Sequence, residues 1–207
     1  MNEVDKLKIL ISKNVDSKIT YSGKSFKGSY HTIEVDGQVI PGQRDLNYRI
    51  SKIGEHLRGK SVMDLGCNQG GMLLELRDII SWGVGVDHNS GLINAANKTA
   101  EMLNVNNLSF YTYDLVSDLY TSLPCFFRRS NTVDVVFMFA IARWVCNWEQ
   151  ILDYMKSYTK EVFFEAHGNP QEITAQKNGL VRVFSEVEDF GPISDDGNLR
   201  RMYRCEV

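Results

Sequence analysis

Two short apolar runs, each ending at an acid and separated by a glycine-containing loop, constrain this chain more than any other feature. The first run and its loop read Val-Met-Asp-Leu-Gly-Cys-Asn-Gln-Gly-Gly over residues 62–71, and the second reads Val-Gly-Val-Asp over residues 84–87. Helix-like spacing fills the stretch Met72–Ile80 between them. The order is strand, loop, helix and strand, which is typical of a parallel α/β sheet with a nucleotide-type ligand at the strand ends.

The loop and its flanking acids indicate which kind of ligand the site prefers. Gly66 and Gly70 lack a Cβ, so the backbone there can turn tightly and approach a ligand closely. Asp87, about 20 residues after Gly66, can accept hydrogen bonds from two ribose hydroxyls. A dinucleotide site would use Gly-x-Gly-x-x-Gly, and Asp64 would repel a pyrophosphate but attract an ammonium group. The spacing therefore favours a nucleoside that carries an amino acid and argues against a nicotinamide-dependent oxidoreductase.

With these residues in place, the chain resembles the class I S-adenosylmethionine-dependent methyltransferases. The segment Asp64–Gly70 matches the family's first motif, Asp87 its ribose-binding acid and Asp114 the acid that holds the adenine amino group. Residues 133–139 and 161–165 match its fourth and fifth core strands, and the resemblance covers residues 44–207. It implies S-adenosylmethionine as the cofactor. The cofactor-binding residues that we expect are Asp64, Gly66, Cys67, Asn68, Gly70, Asp87, His88, Tyr113, Asp114, Leu115, Phe139 and Arg44.

The order of apolar runs and breakers along the chain predicts the fold class. Strand-like and helix-like stretches alternate through the core, which indicates a parallel sheet with helices on both faces. We therefore expect an α/β fold with a Rossmann-like, seven-stranded, mostly parallel sheet and a small N-terminal helix and hairpin cap. The predicted strands are 61–65, 84–87, 108–113, 133–139, 162–165, 181–187 and 199–205, and the predicted helices are 3–14, 44–57, 72–80, 92–103 and 148–158.

The stretch before the core predicts a separate unit. Asp36-Gly37, between the β-prone residues 30–35 and 38–40, indicates a hairpin turn. We expect residues 1–43 to form a helix and hairpin lid, and residues 44–207 to form the cofactor-binding core. The lead-in to the core is loosely similar to methyltransferases related to the carboxymethyl-transferring enzymes of wobble uridine, which implies kinship in fold and cofactor pocket. Arg44 or Arg49 could meet a carboxylate there, either the methionine's or the substrate's, or both could be helix-surface arginines.

Composition sets outer bounds on function. The chain has 207 residues, and its 23 basic and 26 acidic side chains give a net charge of −3, so no global positive field draws in nucleic acid. Its four cysteines show no CxxC pair and no zinc-like spacing, which favours reduced thiols and no metal. The sequence shows no signal-like segment and no membrane-spanning run, so we expect a soluble, cytoplasmic protein.

Three residues after the fourth and fifth core strands are the catalytic candidates. His167 could act as a general base with a pKa near the working pH, or be a satisfied loop histidine. Glu165 and His167 alternate on one strand face, but a metal site would need a third ligand. Trp144 could stack on a base or sugar and Arg143 could clamp a phosphate or carboxylate, or the pair could be a packing tryptophan beside a surface arginine.

The acceptor is less constrained than the cofactor. We expect methyl transfer to a small-molecule, glycan or nucleoside acceptor, because the pocket motif is intact and the lid is short. Transfer RNA modification is the alternative: the basic clusters Arg128-Arg129 and Arg200-Arg201 with Arg204 could contact RNA, or form a charged outer strand face. A regulatory module that binds S-adenosylmethionine without catalysis also remains open, because no acceptor-specific signature follows the fourth strand.

Overall fold

The N-terminal part of the chain forms the predicted cap. The structure is a computed structural model. It describes residues 1–14, 29–35, 37–44, 46–128, 130–193 and 199–207. The elements of the cap are α1 (Glu3–Asn14), β1 (Ser29–His31), β2 (Ile33–Val35), β3 (Gln38–Ile40) and β4 (Gly42–Arg44). Strands β2 and β3 pair antiparallel as a hairpin, although the predicted turn residue Asp36 lies outside the described residues. Strands β1 and β4 pair in parallel, with His31 opposite Arg44.

The core that follows alternates strands and helices. Its helices are α2 (Asn47–Ile53), α3 (Gly71–Glu75), α4 (Ser90–Met102), α5 (Trp148–Met155) and α6 (Pro170–Val183), with 3₁₀ helices at Gly54–Leu57 and Tyr120–Phe126. Its strands are β5 (Ser61–Leu65), β6 (Trp82–Asp87), β7 (Leu108–Thr112), β8 (Val135–Phe139), β9 (Glu161–His167), β10 (Glu186–Pro192) and β11 (Arg200–Glu206).

These strands form one seven-stranded sheet in the order β10-β11-β9-β8-β5-β6-β7. The five strands from β9 to β7 are parallel, and β11 runs antiparallel to both of its neighbours. The predicted fold class, a Rossmann-like and mostly parallel sheet, is confirmed. Because the parallel strands point the same way, their carboxyl ends meet at one edge of the sheet, where a ligand binds in such folds.

Apolar packing fixes the cap on the core. Leu7 and Ile11 of α1 and Val35 of β2 form a buried cluster that includes Ala95 of α4. We predicted a boundary between lid and core at residues 43 and 44, and strand β4 spans it. The division into two parts therefore stays a prediction. No helix in the described part of the chain is long and apolar enough to cross a bilayer.

Several predicted elements are corrected by the structure. Residues 181–187 are not one strand, because α6 extends to Val183 and β10 begins at Glu186. The signal for α6 was available in the sequence: Asn169 caps the helix, Pro170 starts it and Glu172 closes a capping box. The predicted helix 44–57 is shorter, since Arg44 ends strand β4. The predicted helix 72–80 ends at Glu75 and continues as turns.

Candidate functional site

A cavity of about 520 Å³ opens at the carboxyl edge of the parallel strands, beneath the cap. It contains most of the side chains that we expected at a cofactor site. The predicted residues that line it are Asp64, Gly66, Cys67, Asn68, Asp87, His88, Tyr113, Asp114, Leu115, Phe139 and Trp144. Four predicted residues are not part of its lining: Gly70, Arg44, His167 and Arg143.

The glycine loop has the backbone that its sequence requires. Gly66, Asn68 and Gly70 all have positive φ, at 78°, 54° and 71°. A Cβ on Gly66 would lie 2.8 Å from Cγ2 of Ile141, whereas a Cβ on Gly70 would lie 2.4 Å from the ring of Phe110. Gly66 therefore keeps the cavity wall open, and Gly70 lets helix α3 approach the sheet. This packing role explains why Gly70 lies outside the cavity lining.

Backbone amides hold Asp87 at the end of β6. The amide N–H of Asn68 donates to Oδ2 at 2.9 Å, and the amide N–H of Asn89 donates to Oδ1 at 3.0 Å. The carboxylate is buried yet lines the cavity. Exposed His88 places its Nδ1 3.4 Å from Oδ1 of Asp87. Asp87 is thus fixed by the loop that it faces, with its outer side available to a ligand.

Asp64, the acid of the first motif, is buried as well. It lies at the end of β5 and is almost fully buried. Burial, together with the nearby Asp87, raises the pKa of Asp64 to about 7, although Arg49 opposes the shift. A carboxylate in such a place is stabilised by a bound cation, because the cation replaces the water that burial has removed.

The third acid and its neighbour close the far end of the cavity. Val116 donates its amide N–H to Oδ1 of Asp114 at 2.9 Å, and the Ser117 hydroxyl donates to Oδ2 at 2.6 Å. The Ser117 bond lowers the pKa of Asp114, so the group is ionised. Tyr113 donates its hydroxyl to the carbonyl of Leu119 at 2.6 Å. Tyr113 therefore contributes a ring to the wall, while Asp114 contributes a charge.

Trp144 and His167 form a stacked pair beside the cavity mouth. Their ring centroids are 5.0 Å apart, with 26° between the planes. Trp144 lines the cavity and is 57% exposed, so it is not a packing tryptophan. His167 is the last residue of β9 and is buried, and burial together with Arg200 lowers its pKa to about 4. It is therefore neutral near pH 7 and a weaker base than the sequence prediction assumed. Arg143 lies outward, with its Nη2 3.1 Å from Oε1 of Glu172.

A buried basic cluster, which the sequence did not reveal, lies on the other side of the cavity. Arg49 donates from Nε to Oε2 of Glu165 at 2.7 Å, and Arg200 pairs with Oε1 of the same carboxylate. Arg44 is also buried, and desolvation and Arg200 lower its pKa. Arg44 and Arg49 are not helix-surface arginines. Arg49 pairs with Glu165 of this chain, whereas the carboxylate that we considered was that of the methionine or of the substrate, and that contact stays a prediction.

The glycine loop also anchors the cap over the cavity. The Gln69 side chain is fully buried, and its Oε1 accepts hydrogen bonds from the Ser29 hydroxyl and from the Tyr30 amide, the latter at 3.1 Å. Tyr30 and His31 consequently line the cavity from above. Sequence reasoning placed this segment near the mouth, but the pairing of residues 40 positions apart had no local signal.

The basic residues proposed for nucleic acid are engaged within the chain. Arg201 donates to Asp189 at 2.7 Å, and Arg204 donates to Glu161 at 2.8 Å. Arg128 donates to the carbonyl of Asn106 at 2.8 Å, and Arg129 lies outside the described residues. Within the described ranges, no three His, Cys, Asp or Glu side chains are grouped to hold a metal ion. All four cysteines are free of disulfides.

Comparison with known sequences gives one family match. A family model described as a methyltransferase domain matches residues 56–189, which is more than half of the chain. No curated protein matches the sequence significantly.

Solved structures share the fold at low sequence identity. The bifunctional kinase-methyltransferase WbdD gives a TM-score of 0.68 at 18% identity, covering 97% of this chain and 46% of that one. The chain thus spans less than half the length of WbdD. The N-terminal domain of EvdMO1, crystallised with S-adenosylhomocysteine, gives 0.68 at 11% identity and covers 100% and 98% of the two chains. A dimethyladenosine transferase from Plasmodium falciparum gives 0.53 at 14% identity, covering 78% and 60%.

Proposed function

The chain belongs to the methyltransferase domain family, and from this premise we propose that it transfers a methyl group from S-adenosylmethionine to a small-molecule, glycan or nucleoside acceptor. The family and its cofactor are those that the sequence indicated. The acceptor and the residues that act on it are proposals.

One observation carries the proposal: three acids at successive strand ends line a single cavity. S-adenosylmethionine presents an ammonium group, a ribose diol and an adenine amino group, and each of these is a partner for a carboxylate. We assign them to Asp64, Asp87 and Asp114 in that order. Asp64 supports the assignment most strongly, because a buried carboxyl group with a pKa raised to about 7 gains most from an adjacent cation.

The chain's own residues contribute to the reaction by positioning the acceptor and by excluding water. When bound, S-adenosylmethionine would supply a methyl group activated on a sulfonium, with S-adenosylhomocysteine as the leaving group. Phe139 ends β8, and Ile141 and Trp144 follow it; together they give the acceptor side of the cavity an apolar and aromatic wall. His167 accepts a proton only weakly at its lowered pKa, so an acceptor that is already nucleophilic suits this site best.

Calorimetry with S-adenosylhomocysteine tests the proposal. We expect saturable binding by the wild-type protein and a loss of about 100-fold in Asp87→Asn, because two charge-assisted hydrogen bonds weaken. Asp78→Asn, at an exposed acid, is the matched control and should bind like wild type. Absence of saturable binding to the wild type, or equal affinity of Asp87→Asn, would remove the proposed function.

A saccharide acceptor fits the cavity mouth best within the proposed range. An exposed tryptophan face beside a transfer site offers stacking to a sugar ring. EvdMO1, which has the same fold, was also crystallised in the presence of D-fucose. Transfer of label from S-adenosylmethionine to a panel of free sugars would support this choice, and labelling of nucleosides alone would overturn it.

Modification of RNA remains the second candidate, motivated by the fold shared with a dimethyladenosine transferase. The internal ion pairs of Arg201 and Arg204 weaken it, since those charges are already matched. A salt-dependent gel shift with transfer RNA is its direct check. A non-catalytic regulatory module would bind the cofactor but release no S-adenosylhomocysteine with any acceptor tested.

A further inference from the structure

We propose that His31 of the cap donates a hydrogen bond to the carboxylate of the cofactor's amino-acid group, which makes the cap a specificity-determining part of the cofactor site. This inference rests on the proposed function, because it concerns the end of the cofactor that we assign to Asp64. It gives the site a means of distinguishing S-adenosylmethionine from adenine nucleosides that lack the carboxylate.

The three acids of the cavity leave one charged group of the cofactor without a partner. Asp64, Asp87 and Asp114 are assigned to the ammonium group, the ribose diol and the adenine amino group, and an acid does not attract a carboxylate. The cofactor's carboxylate is attached to the same carbon atom as its ammonium group, so it lies beside Asp64. A carboxylate that leaves water needs hydrogen-bond donors, which the wall at this end of the cavity has to supply.

His31 is a donor without a partner in this wall. It is 5% exposed, it lines the cavity, and neither ring nitrogen has a hydrogen-bond partner in the described part of the chain. Burial, together with the nearby Arg49, holds the pKa of His31 well below its usual range, so the ring is neutral and carries one N–H. A buried polar group without a partner is costly, and a ligand oxygen would remove that cost.

The contact between His31 and Gly71 places the ring at the amino-acid end of the cavity. Gly71 directly follows the first motif, and a Cβ on it would lie 2.4 Å from Nδ1 of His31. Gly71 is not among the glycines with positive φ, so glycine is needed here for the room that it leaves to the imidazole. The ring therefore lies against the loop that begins where β5 and Asp64 end.

Two contacts hold β1, which carries His31, in this place. Gln69 accepts hydrogen bonds from the Ser29 hydroxyl and the Tyr30 amide, and the side chain of Tyr30 hydrogen-bonds with Arg200 of β11. Tyr30 also packs edge-on against the imidazole, with ring centroids 4.6 Å apart. The ring is thus positioned before a ligand arrives, which lowers the entropic cost of binding.

Arg49 also lines the cavity and lies close enough to Asp64 to oppose the rise in the pKa of that carboxyl group. Its Nε and Nη2 atoms, however, lie 2.7 and 2.6 Å from Oε2 of Glu165. This guanidinium is therefore engaged within the chain, and the neutral imidazole of His31 is the better candidate for the contact with the carboxylate.

Calorimetry with two ligands that differ by one group tests the inference. S-adenosylhomocysteine carries both the ammonium group and the carboxylate, whereas its decarboxylated analogue keeps the ammonium group alone. Each ligand is titrated into wild type, into His31→Phe, and into His31→Gln, which restores an N–H donor. His56→Phe is the matched control, because His56 packs against Phe163 and Phe190 and does not line the cavity.

We expect wild type to bind S-adenosylhomocysteine about tenfold or more tightly than the analogue, because a hydrogen bond to a charged group adds affinity. His31→Phe should remove most of this ratio by weakening the binding of S-adenosylhomocysteine alone. His31→Gln should restore part of the ratio, and His56→Phe should keep it within about twofold of wild type. Equal affinities of wild type for the two ligands, or a ratio that His31→Phe leaves unchanged, would overturn the inference.

Imidazole NMR spectra of the wild type address the same contact without depending on the folding of a variant. The nitrogen resonances of the His31 ring, assigned through its bonded atoms, should shift saturably with S-adenosylhomocysteine and much less with the analogue. A shift of equal size with both ligands would contradict the inference. Absence of S-adenosylhomocysteine binding to wild type would remove the proposed function and the inference together, whereas binding that does not involve His31 would remove the inference alone.

Discussion

The cavity has an acidic half, at the carboxyl ends of β5, β6 and β7, and a basic half, where Arg49 pairs with Glu165, and the two halves hold their charges by different means. On the acidic half, backbone amides fix the carboxylates of Asp87 and Asp114. On the basic half, side chains from three separate elements hold one another, with Glu165 of β9 between Arg49 of α2 and Arg200 of β11. The first arrangement leaves negative charge available to a ligand, and the second matches most of its charge internally.

This difference has an energetic consequence. A carboxylate fixed by amides is positioned before any ligand arrives, so its removal should reduce affinity more than stability. A buried ion-pair cluster contributes to the fold, because each partner left alone would be an uncompensated charge. Substitutions in the two halves should therefore separate ligand binding from folding.

The largest effect on stability is expected from Glu165→Gln, which leaves Arg49 and Arg200 without their shared carboxylate. We expect a loss of about 3–5 kcal/mol in the free energy of unfolding, measured by chemical denaturation. Asp189→Asn is the matched control, because it removes the partner of half-exposed Arg201 and should cost about 1 kcal/mol or less. Equal losses in the two variants would show that the basic cluster does not stabilise the fold.

The opposite behaviour is expected from Asp64→Asn on the acidic half. A folded-state pKa raised to about 7 means that ionised Asp64 costs stability, and this cost is present once the pH rises through that value. At pH 8 the free energy of unfolding of the variant should therefore equal that of the wild type or exceed it by about 1–3 kcal/mol. Its affinity for S-adenosylhomocysteine should nevertheless fall at least tenfold. If Asp64→Asn were less stable than wild type and bound S-adenosylhomocysteine equally well, the contrast between the two halves of the cavity would be wrong.

The acidic half could be predicted from the sequence because its chemistry is local. Asp64, Gly66 and Asp87 are set by strand ends and one loop, and all three line the cavity. The basic half could not, because the partners Arg49 and Glu165 are 116 residues apart and only the folded sheet brings them together. The same reason hid His31, whose place above the loop depends on the Gln69 contact with β1. The cytoplasmic location and the acceptor stay predictions.

The third prediction concerns how the affinity for S-adenosylhomocysteine depends on pH, which tests the role of Asp64. The cofactor's ammonium group binds the ionised carboxylate, so affinity for S-adenosylhomocysteine should rise by up to about tenfold per pH unit below pH 7 and level off above it. Calorimetry between pH 5.5 and pH 8 measures this, and Asp64→Asn should remove most of the slope. A wild-type affinity that does not change over this range would mean that Asp64 does not contact the cation.

The smallest effect is expected at the mouth, from Trp144→Ala. Removal of the exposed ring should change stability by about 1 kcal/mol or less and leave cofactor affinity within twofold. Water would then reach His167, so its pKa should rise from about 4 toward the ordinary histidine value. An NMR titration of the His167 ring measures the shift. A His167 pKa that stays near its original value would show that Trp144 does not shield it.

A crystal structure of the protein soaked with S-adenosylhomocysteine tests the division of the cavity most directly. We expect the ribose hydroxyls within hydrogen-bond distance of the Asp87 carboxylate and the ammonium group beside Asp64. A ligand whose sugar or ammonium group lies away from these two acids would contradict the account.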